Sequence, residues 1–218
     1  MNKPEIYIDG LNVFMRHFAA NPAKSINGQL CGGIVGMLKN IQHLSERFSP
    51  QKIVVVWEGG GSVRRKSIDP NYKNGRRPVR LNRSELIGDI PDTVENRDFQ
   101  LKTLIKILYK TPVTQIYVND CEADDVMAYI STQLLKENEQ AVVMSTDKDF
   151  LQLVDDTTIV WSPTKKKLYN KELVKEEYGI ESKNLNTFFD HLQKNPFYSI
   201  LQLHLGNVFP CNYHKPHD

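Results

Sequence analysis

Four short apolar runs, each broken off by an acid, constrain this chain more than any other feature. Residues 6–8 stop at Asp9 and Gly10, residues 53–57 at Glu58 and three glycines, residues 116–118 at Asn119 and Asp120, and residues 141–144 at Ser145, Thr146 and Asp147. Such runs, closed by polar residues and glycine, read as buried strands ending in turns. Between them Ile34, Leu38, Ile41, Leu44 and Phe48 recur at helical spacing, as do Leu101, Leu104, Ile105 and Leu108, and then Val126, Ile130 and Leu134. Strands alternating with helices make an α/β chain with a parallel sheet. The active edge of such a sheet lies beyond the carboxyl ends of its strands, where these acids stand. Further on, residues 157–161 and 167–169 predict a late hairpin or edge strand, and residues 171–178 a helix stopped by Gly179.

A chain of 218 residues with 40% hydrophobic and 25% charged residues suits one α/β domain, or one domain plus an appendage. Its longest apolar run, residues 53–57, falls far short of the roughly 20 residues of a membrane span. Pro4 and Glu5 do not suit a secretory signal. Cys31, Cys121 and Cys211 are odd in number and lack a CxxC pair, so neither a disulfide framework nor a zinc ribbon is indicated. A reduced, cytoplasmic protein without a membrane partner is expected.

The formal charge of +2 conceals an asymmetry. Between residues 64 and 83, eight basic residues (Arg64, Arg65, Lys66, Lys73, Arg76, Arg77, Arg80, Arg83) face only Asp69, which gives +7 there and −5 elsewhere. A basic segment on a mildly acidic body is the pattern of an element that grips a polyanion.

The acids themselves form a constellation. Glu122, Asp124 and Asp125 open the helix after the third strand. One or two acids in a first turn are explained by the helix dipole. Three within four positions repel one another and raise their pKa values unless a cation neutralises them. Asp147 and Asp149 follow the fourth strand, where Ser145 or Thr146 also qualifies as a helix N-cap. With Asp9 and Glu58, seven carboxylates converge on one sheet edge. Hard oxygen ligands without paired His or Cys suit Mg²⁺ or Mn²⁺, and two such ions together can activate a water and stabilise the leaving oxygen of a phosphodiester.

Ile-Asp-Gly at Asp9, the strand ending in Trp57-Glu58, Arg64-Arg65, Tyr72-Lys73 with Arg76, Glu122-Ala-Asp124-Asp125 and Thr146-Asp147-Lys148-Asp149-Phe150-Leu151 resemble, in order, the five-prime nuclease (flap endonuclease) superfamily. The most similar branch is that of phage 5′-3′ exonucleases and the nuclease domain of bacterial DNA polymerase I. The resemblance implies a PIN-like fold, with a central mainly parallel sheet flanked by helices, over residues 1–180, and a basic helical arch at about 62–95. It implies a first metal site at Asp9, Glu58, Glu122, Asp124 and Asp125 and a second at Asp147 and Asp149. Arg64, Arg65, Tyr72, Lys73, Arg76, Arg77 and Arg80 would hold nucleic acid, with Lys73 and Arg76 acting catalytically on the scissile phosphate. The implied activity is Mg²⁺- or Mn²⁺-dependent 5′-3′ exonuclease or flap endonuclease hydrolysis of DNA, or of RNA in RNA–DNA hybrids. It would serve replication or repair in the cytoplasm, that of the host if phage-encoded, as a monomer acting on DNA with a 5′ end or flap beside replication proteins.

Two departures from the family pattern stand out. Glu58 replaces the usual aspartate, and the Gly-Asp-x-Ser-Asp-Asn segment expected after Tyr178-Gly179-Ile180 is missing. Residues 181–218 are thus an atypical tail without the helix-turn-helix segment, as in a truncated, split or frame-disrupted member, and the second metal site is expected to be incomplete. Cys211, His214, His217 and Asp218 in this tail are read as incidental rather than as a zinc site. Two other readings compete: a catalytically impaired DNA-binding remnant, and a PIN-like ribonuclease, which commonly lacks a long basic arch.

Overall fold

The computed structural model describes residues 3–60, 66–67, 70, 94–135, 139–179 and 181–182. The chain runs β1 (Glu5–Asp9), α1 (Gly10–Ala20), α2 (Gly32–Phe48), β2 (Lys52–Trp57), α3 (Val94–Leu108), β3 (Thr114–Tyr117) and α4 (Ala123–Tyr129). It continues through β4 (Ala141–Met144), a 3₁₀ helix (Lys148–Leu153), β5 (Thr158–Ser162), β6 (Lys167–Tyr169) and α5 (Lys171–Tyr178).

The six strands form one sheet in the order β3-β2-β1-β4-β5-β6, parallel except for the antiparallel β5–β6 pair. Pairing of Asp9 with Val56, Ile8 with Met144 and Trp57 with Tyr117 brings the carboxyl ends of β1 to β4 to one edge. The chain first builds outward from β1 through β2 to β3, then returns to the other flank with β4. The strand order therefore reverses between β1 and β4, which is where parallel sheets open a crevice.

Both faces of the sheet are covered, which explains why the strands are continuously apolar rather than alternating with polar residues. Ile6, Ile8, Val55, Trp57, Val142 and Met144 face a core shared with α1, α2 and α3. Tyr7, Val54, Val56, Ala141 and Val143 face the opposite core, with α4, the 3₁₀ helix and α5. The expected α/β architecture, its four strands and the three helical periods are all present. The late segments form β5 and β6, and Gly179 ends α5 with φ of 72° in the left-handed region.

Two local expectations change. No turn separates β1 from α1: Asp9 is the N-cap of that helix, its Oδ1 accepting from Asn12 N at 3.2 Å. Gly10 is needed for proximity, since a Cβ there would lie 2.7 Å from Cε3 of the Trp57 indole. The third helical period, in turn, is α-helical only to Tyr129 and continues as a π-helical segment over Ile130–Leu134. At that junction the Ser131 and Thr132 hydroxyls both donate to the Ala128 carbonyl, at 3.1 and 2.8 Å, which competes with regular helix bonding. Among the described residues no helix is long and apolar enough to cross a membrane.

Candidate metal centre

The crevice is assembled from strand ends. Asp9 is the last residue of β1 and is only 8% exposed. Its Oδ2 accepts from the Ser145 hydroxyl beyond β4, at 3.3 Å, while its Oδ1 caps α1, so one carboxylate ties the two strands that flank the switch point. Burial foremost, with Asp124 and Glu58 beside it, raises its pKa from the ordinary carboxylate value to about 7, against the opposing bonds from Asn12 N–H and Ser145.

Glu58 follows β2 and reaches toward β3. Its Oε2 accepts from Ala123 N, the first residue of α4, at 3.2 Å. Glu122 occupies the N-cap position of α4 but makes no side-chain cap bond, so the cap is supplied from another strand.

Gly59 makes the approach possible. Its N–H donates to the Cys121 carbonyl at 2.9 Å, its carbonyl accepts from Asp120 N at 2.8 Å, and any Cβ would overlap the Val118 carbonyl. Two backbone bonds thus clamp the loop after β2 to the loop after β3.

Glu122, Asp124 and Asp125 open α4 as the sequence predicts, with one carboxylate oxygen of each within 4.8 Å of the others. Glu122 and Asp125 are buried, at 2% and 7% exposure, while Asp124 is exposed. The Asp125 amide donates to Asp124 Oδ1 at 2.8 Å, which fixes that side chain over the first turn. The interactions of Asp124 and Glu58 with Asp9 extend the trio into a five-carboxylate group at the ends of β1, β2 and β3.

Asp147 and Asp149 are placed differently. Both are exposed. Asp147, not Ser145 or Thr146, is the N-cap, and the helix is 3₁₀: Asp147 Oδ1 accepts from Asp149 N at 3.1 Å. Ser145 instead accepts from Asp147 N at 3.1 Å while donating to Asp9. These two acids stand at the same sheet edge, beyond β4, but outside the close carboxylate trio of α4. Asn12, which the sequence did not single out, joins this side: its Oδ1 accepts from Thr146 Oγ1 at 2.6 Å and from Thr146 N at 3.2 Å.

The basic residues expected to hold nucleic acid, Arg64, Arg65, Tyr72, Lys73, Arg76, Arg77 and Arg80, lie outside the described residues, as do Ile180 and the tail from residue 183 onward with Cys211, His214, His217 and Asp218. The expected arch at 62–95 lies mostly there too; from Val94 the chain is α3.

Residues 5–179 match the family described as 5'-3' exonuclease, N-terminal resolvase-like domain. The chain is 30% identical over 189 residues to a 5'-3' exonuclease of Buchnera aphidicola, covering 86% of this chain and 61% of that protein. It is 28% identical over 193 residues to flap endonuclease Xni of Shewanella piezotolerans, covering 88% and 67%. The chain thus spans about three fifths to two thirds of the length of these curated relatives. A crystal structure of T5 D15 protein with metal ions shares the fold at a TM-score of 0.64 and 23% identity, over 84% of this chain and 64% of that one. So does a complex of the bacteriophage T5 D15 flap endonuclease with DNA and metal ions, at a TM-score of 0.60 and 20% identity, over 81% and 61%.

Proposed function

Because this chain belongs to the 5'-3' exonuclease family, matching its N-terminal resolvase-like domain, we propose that it is a divalent-metal-dependent 5′ nuclease that hydrolyses phosphodiester bonds of DNA at a 5′ end or flap. The observation that carries this reading is the clustering of carboxylates, three of them buried, at the switch point of a parallel sheet.

The donor set fits the metal. It offers oxygen ligands only, and it includes a carboxyl, Asp9, whose ionisation the surroundings oppose until a cation offsets the charge. Asp9, Glu58, Glu122, Asp124 and Asp125 hold the first Mg²⁺ or Mn²⁺, and Asp147 and Asp149 a second, less completely ligated one. A bound ion there supplies a Lewis acid that acidifies water and draws charge from the phosphodiester. The chain's own residues do the rest. Ser145 and the Asn12 amide orient Asp9, Glu58 fixes the start of α4, and the Asp125 amide orients Asp124. Lys73 and Arg76 contact the scissile phosphate, while Arg64, Arg65, Tyr72, Arg77 and Arg80 hold the strand by its backbone and by stacking, without reading sequence. The site of action is the cytoplasm, on DNA under replication or repair.

A 5′-labelled flap and its isolated single strand, incubated with Mg²⁺, Mn²⁺ or EDTA, test the reading. Cleavage from the 5′ side in either metal and none in EDTA is expected. Intact substrate in both metals, or cleavage that survives EDTA, overturns it.

A further inference from the structure

Beside the acidic crevice, at the β3 end of the sheet, lies a cleft of about 400 Å³ whose role the metal centre does not account for. Leu101, Ile105 and Tyr109, four residues apart along α3 and its end, form one wall. Trp57 and the edge strand β3, through Gln115 and Tyr117, form the other. The cleft is not separate from the crevice: Glu58 and Leu11 line it too, Glu58 being the carboxylate that caps α4 and Leu11 lying between Asp9 and Asn12. Whatever occupies it lies directly alongside Glu58.

Its chemistry is aromatic with a small polar handle. Tyr109 and Tyr117 are 76% and 60% exposed, an arrangement that leaves two flat rings uncovered at the mouth, while Trp57 is buried at its base. Isolated exposed apolar residues are ordinary, but aromatic residues grouped around a concave site mark a ligand. The polar handle is Gln115. Its Oε1 accepts from Trp57 Nε1 at 2.9 Å and its Nε2 donates to the Ile105 carbonyl at 3.2 Å, which locks the amide in one orientation. A primary amide has two hydrogens and two lone pairs, so one donor and one acceptor remain among the described residues. A planar, polar-edged aromatic ring matches such a set: stacking on tyrosine and an edge pairing with a carboxamide. The volume suits one base with part of its sugar.

We propose that this cleft seats one nucleobase of the bound single strand next to the scissile phosphate, with Tyr109 and Tyr117 as the stacking faces and Gln115 at the base edge. The proposal rests on reading the chain as a nuclease, and adds a base contact beside the metal centre that is separate from the stacking assigned to Tyr72. Stacking of this kind tolerates every base, so it places the strand without specifying sequence.

The test is an abasic scan. A labelled deoxyoligonucleotide carrying one abasic site at successive positions is measured for equilibrium binding by fluorescence anisotropy in EDTA, and for single-turnover cleavage in Mg²⁺. The parent protein is expected to lose roughly five- to 150-fold in affinity at the position seated in the cleft. Tyr117→Ala should lose affinity for the intact strand by a similar factor yet be indifferent to an abasic site at that position, and Tyr117→Phe should behave as the parent. Since Tyr117 is exposed, circular dichroism and melting of Tyr117→Ala should match the parent, which separates a lost contact from a lost fold. A flat scan in the parent, or a Tyr117→Ala protein that keeps the parent's positional sensitivity, overturns the base site even where cleavage proceeds normally. Conversely, a sensitive position that Tyr117→Ala makes indifferent, without cleavage in any metal, leaves the base site standing and removes the nuclease reading.

Discussion

At the β1–β2–β3 end of the crevice, three of the five carboxylates, Asp9, Glu122 and Asp125, are buried, and two take donors from other elements: Asp9 from Ser145, and half-buried Glu58 from the start of α4. At the β4 end, Asp147 and Asp149 are exposed, and Asp147 takes its donor from its own turn. Helix capping suffices to explain exposed acids at a helix start. Burying several carboxylates together is costly without a cation, so the first end is where a metal ion has most to offset. The two ends are therefore unequal: in the proposed function the first holds the ion, and the second assists.

Removing one ligand from each end should expose this inequality most strongly. Asp124→Ala is expected to lower single-turnover cleavage by roughly 10³-fold or more, because the charge stabilisation of the first ion is lost with it. Asp149→Ala should cost about 10- to 100-fold, on the scale of a supporting group. Asp124→Ala should not reduce thermal stability, since it relieves repulsion within the trio, and Asp149→Ala should cost at most about 1 kcal/mol, the worth of an exposed first-turn acid. Equal losses at both sites would break the comparison and make the exposed end a full partner.

The pH dependence of the metal-free protein sharpens the same point. Asp9 binds its proton more tightly folded, at about 7, than an ordinary carboxyl near 3.8 does when unfolded. Between those values the folded state holds the extra proton, so stability is highest below about 4 and falls as pH rises toward 7. Each tenfold difference in proton affinity is worth about 1.4 kcal/mol, which sets a ceiling on the order of 4 kcal/mol. Urea denaturation in EDTA from pH 4 to 8 should reveal this fall against the background of the other groups as a difference from Asp9→Asn, which cannot ionise there. Mg²⁺ should restore stability more at pH 8 than at pH 5. A parent and Asp9→Asn that track each other across the range would show that Asp9 is not the buried charge of the first end.

Whether a feature is legible in the chain depends on the range of the interactions that set it. Strand ends, the acid trio of α4 and the glycine stop of α5 rest on local chemistry, and a single sequence displays local chemistry directly. Helix α1 escaped notice although Val13, Phe14 and Phe18 are buried, because Asn12, Arg16 and His17 interrupt its apolar stripe. Gln100 escaped as well. It is 1% exposed and accepts from Gly33 N at 2.9 Å, a polar side chain in the core that only a contact between distant helices explains. The reach of Glu58 across to α4 likewise depends on which strands are neighbours. Residues joined through tertiary structure carry no spacing signal, and that includes the link between the two ends of the crevice.

That link is Asn12. It sits in the first turn of α1, its N–H donates to Asp9, and its side-chain oxygen takes two bonds from Thr146, 134 residues away, just ahead of Asp147. The well-anchored end thereby holds the exposed end in place. Asn12→Ala keeps the backbone bond to Asp9 but removes both bonds to Thr146. Each such bond is worth about 0.5–1.5 kcal/mol, and solvent recovers part of the loss at this half-buried position, so a destabilisation of about 1 kcal/mol is expected. For a domain of this size that lowers Tm by roughly 2–4 °C. Thr146→Val removes only the hydroxyl bond and should cost less. Because the two residues act on one another, the double variant should be less destabilised than the sum of the singles, by about 0.5 kcal/mol or more. Cleavage should fall with Asn12→Ala by no more than the loss seen for Asp149→Ala, since the substitution loosens the β4 end without removing a ligand. Strict additivity in the melts would show that the ends of the crevice are not coupled through this side chain, and a loss of cleavage as deep as that of Asp124→Ala would move Asn12 from the link between the ends to the first end itself.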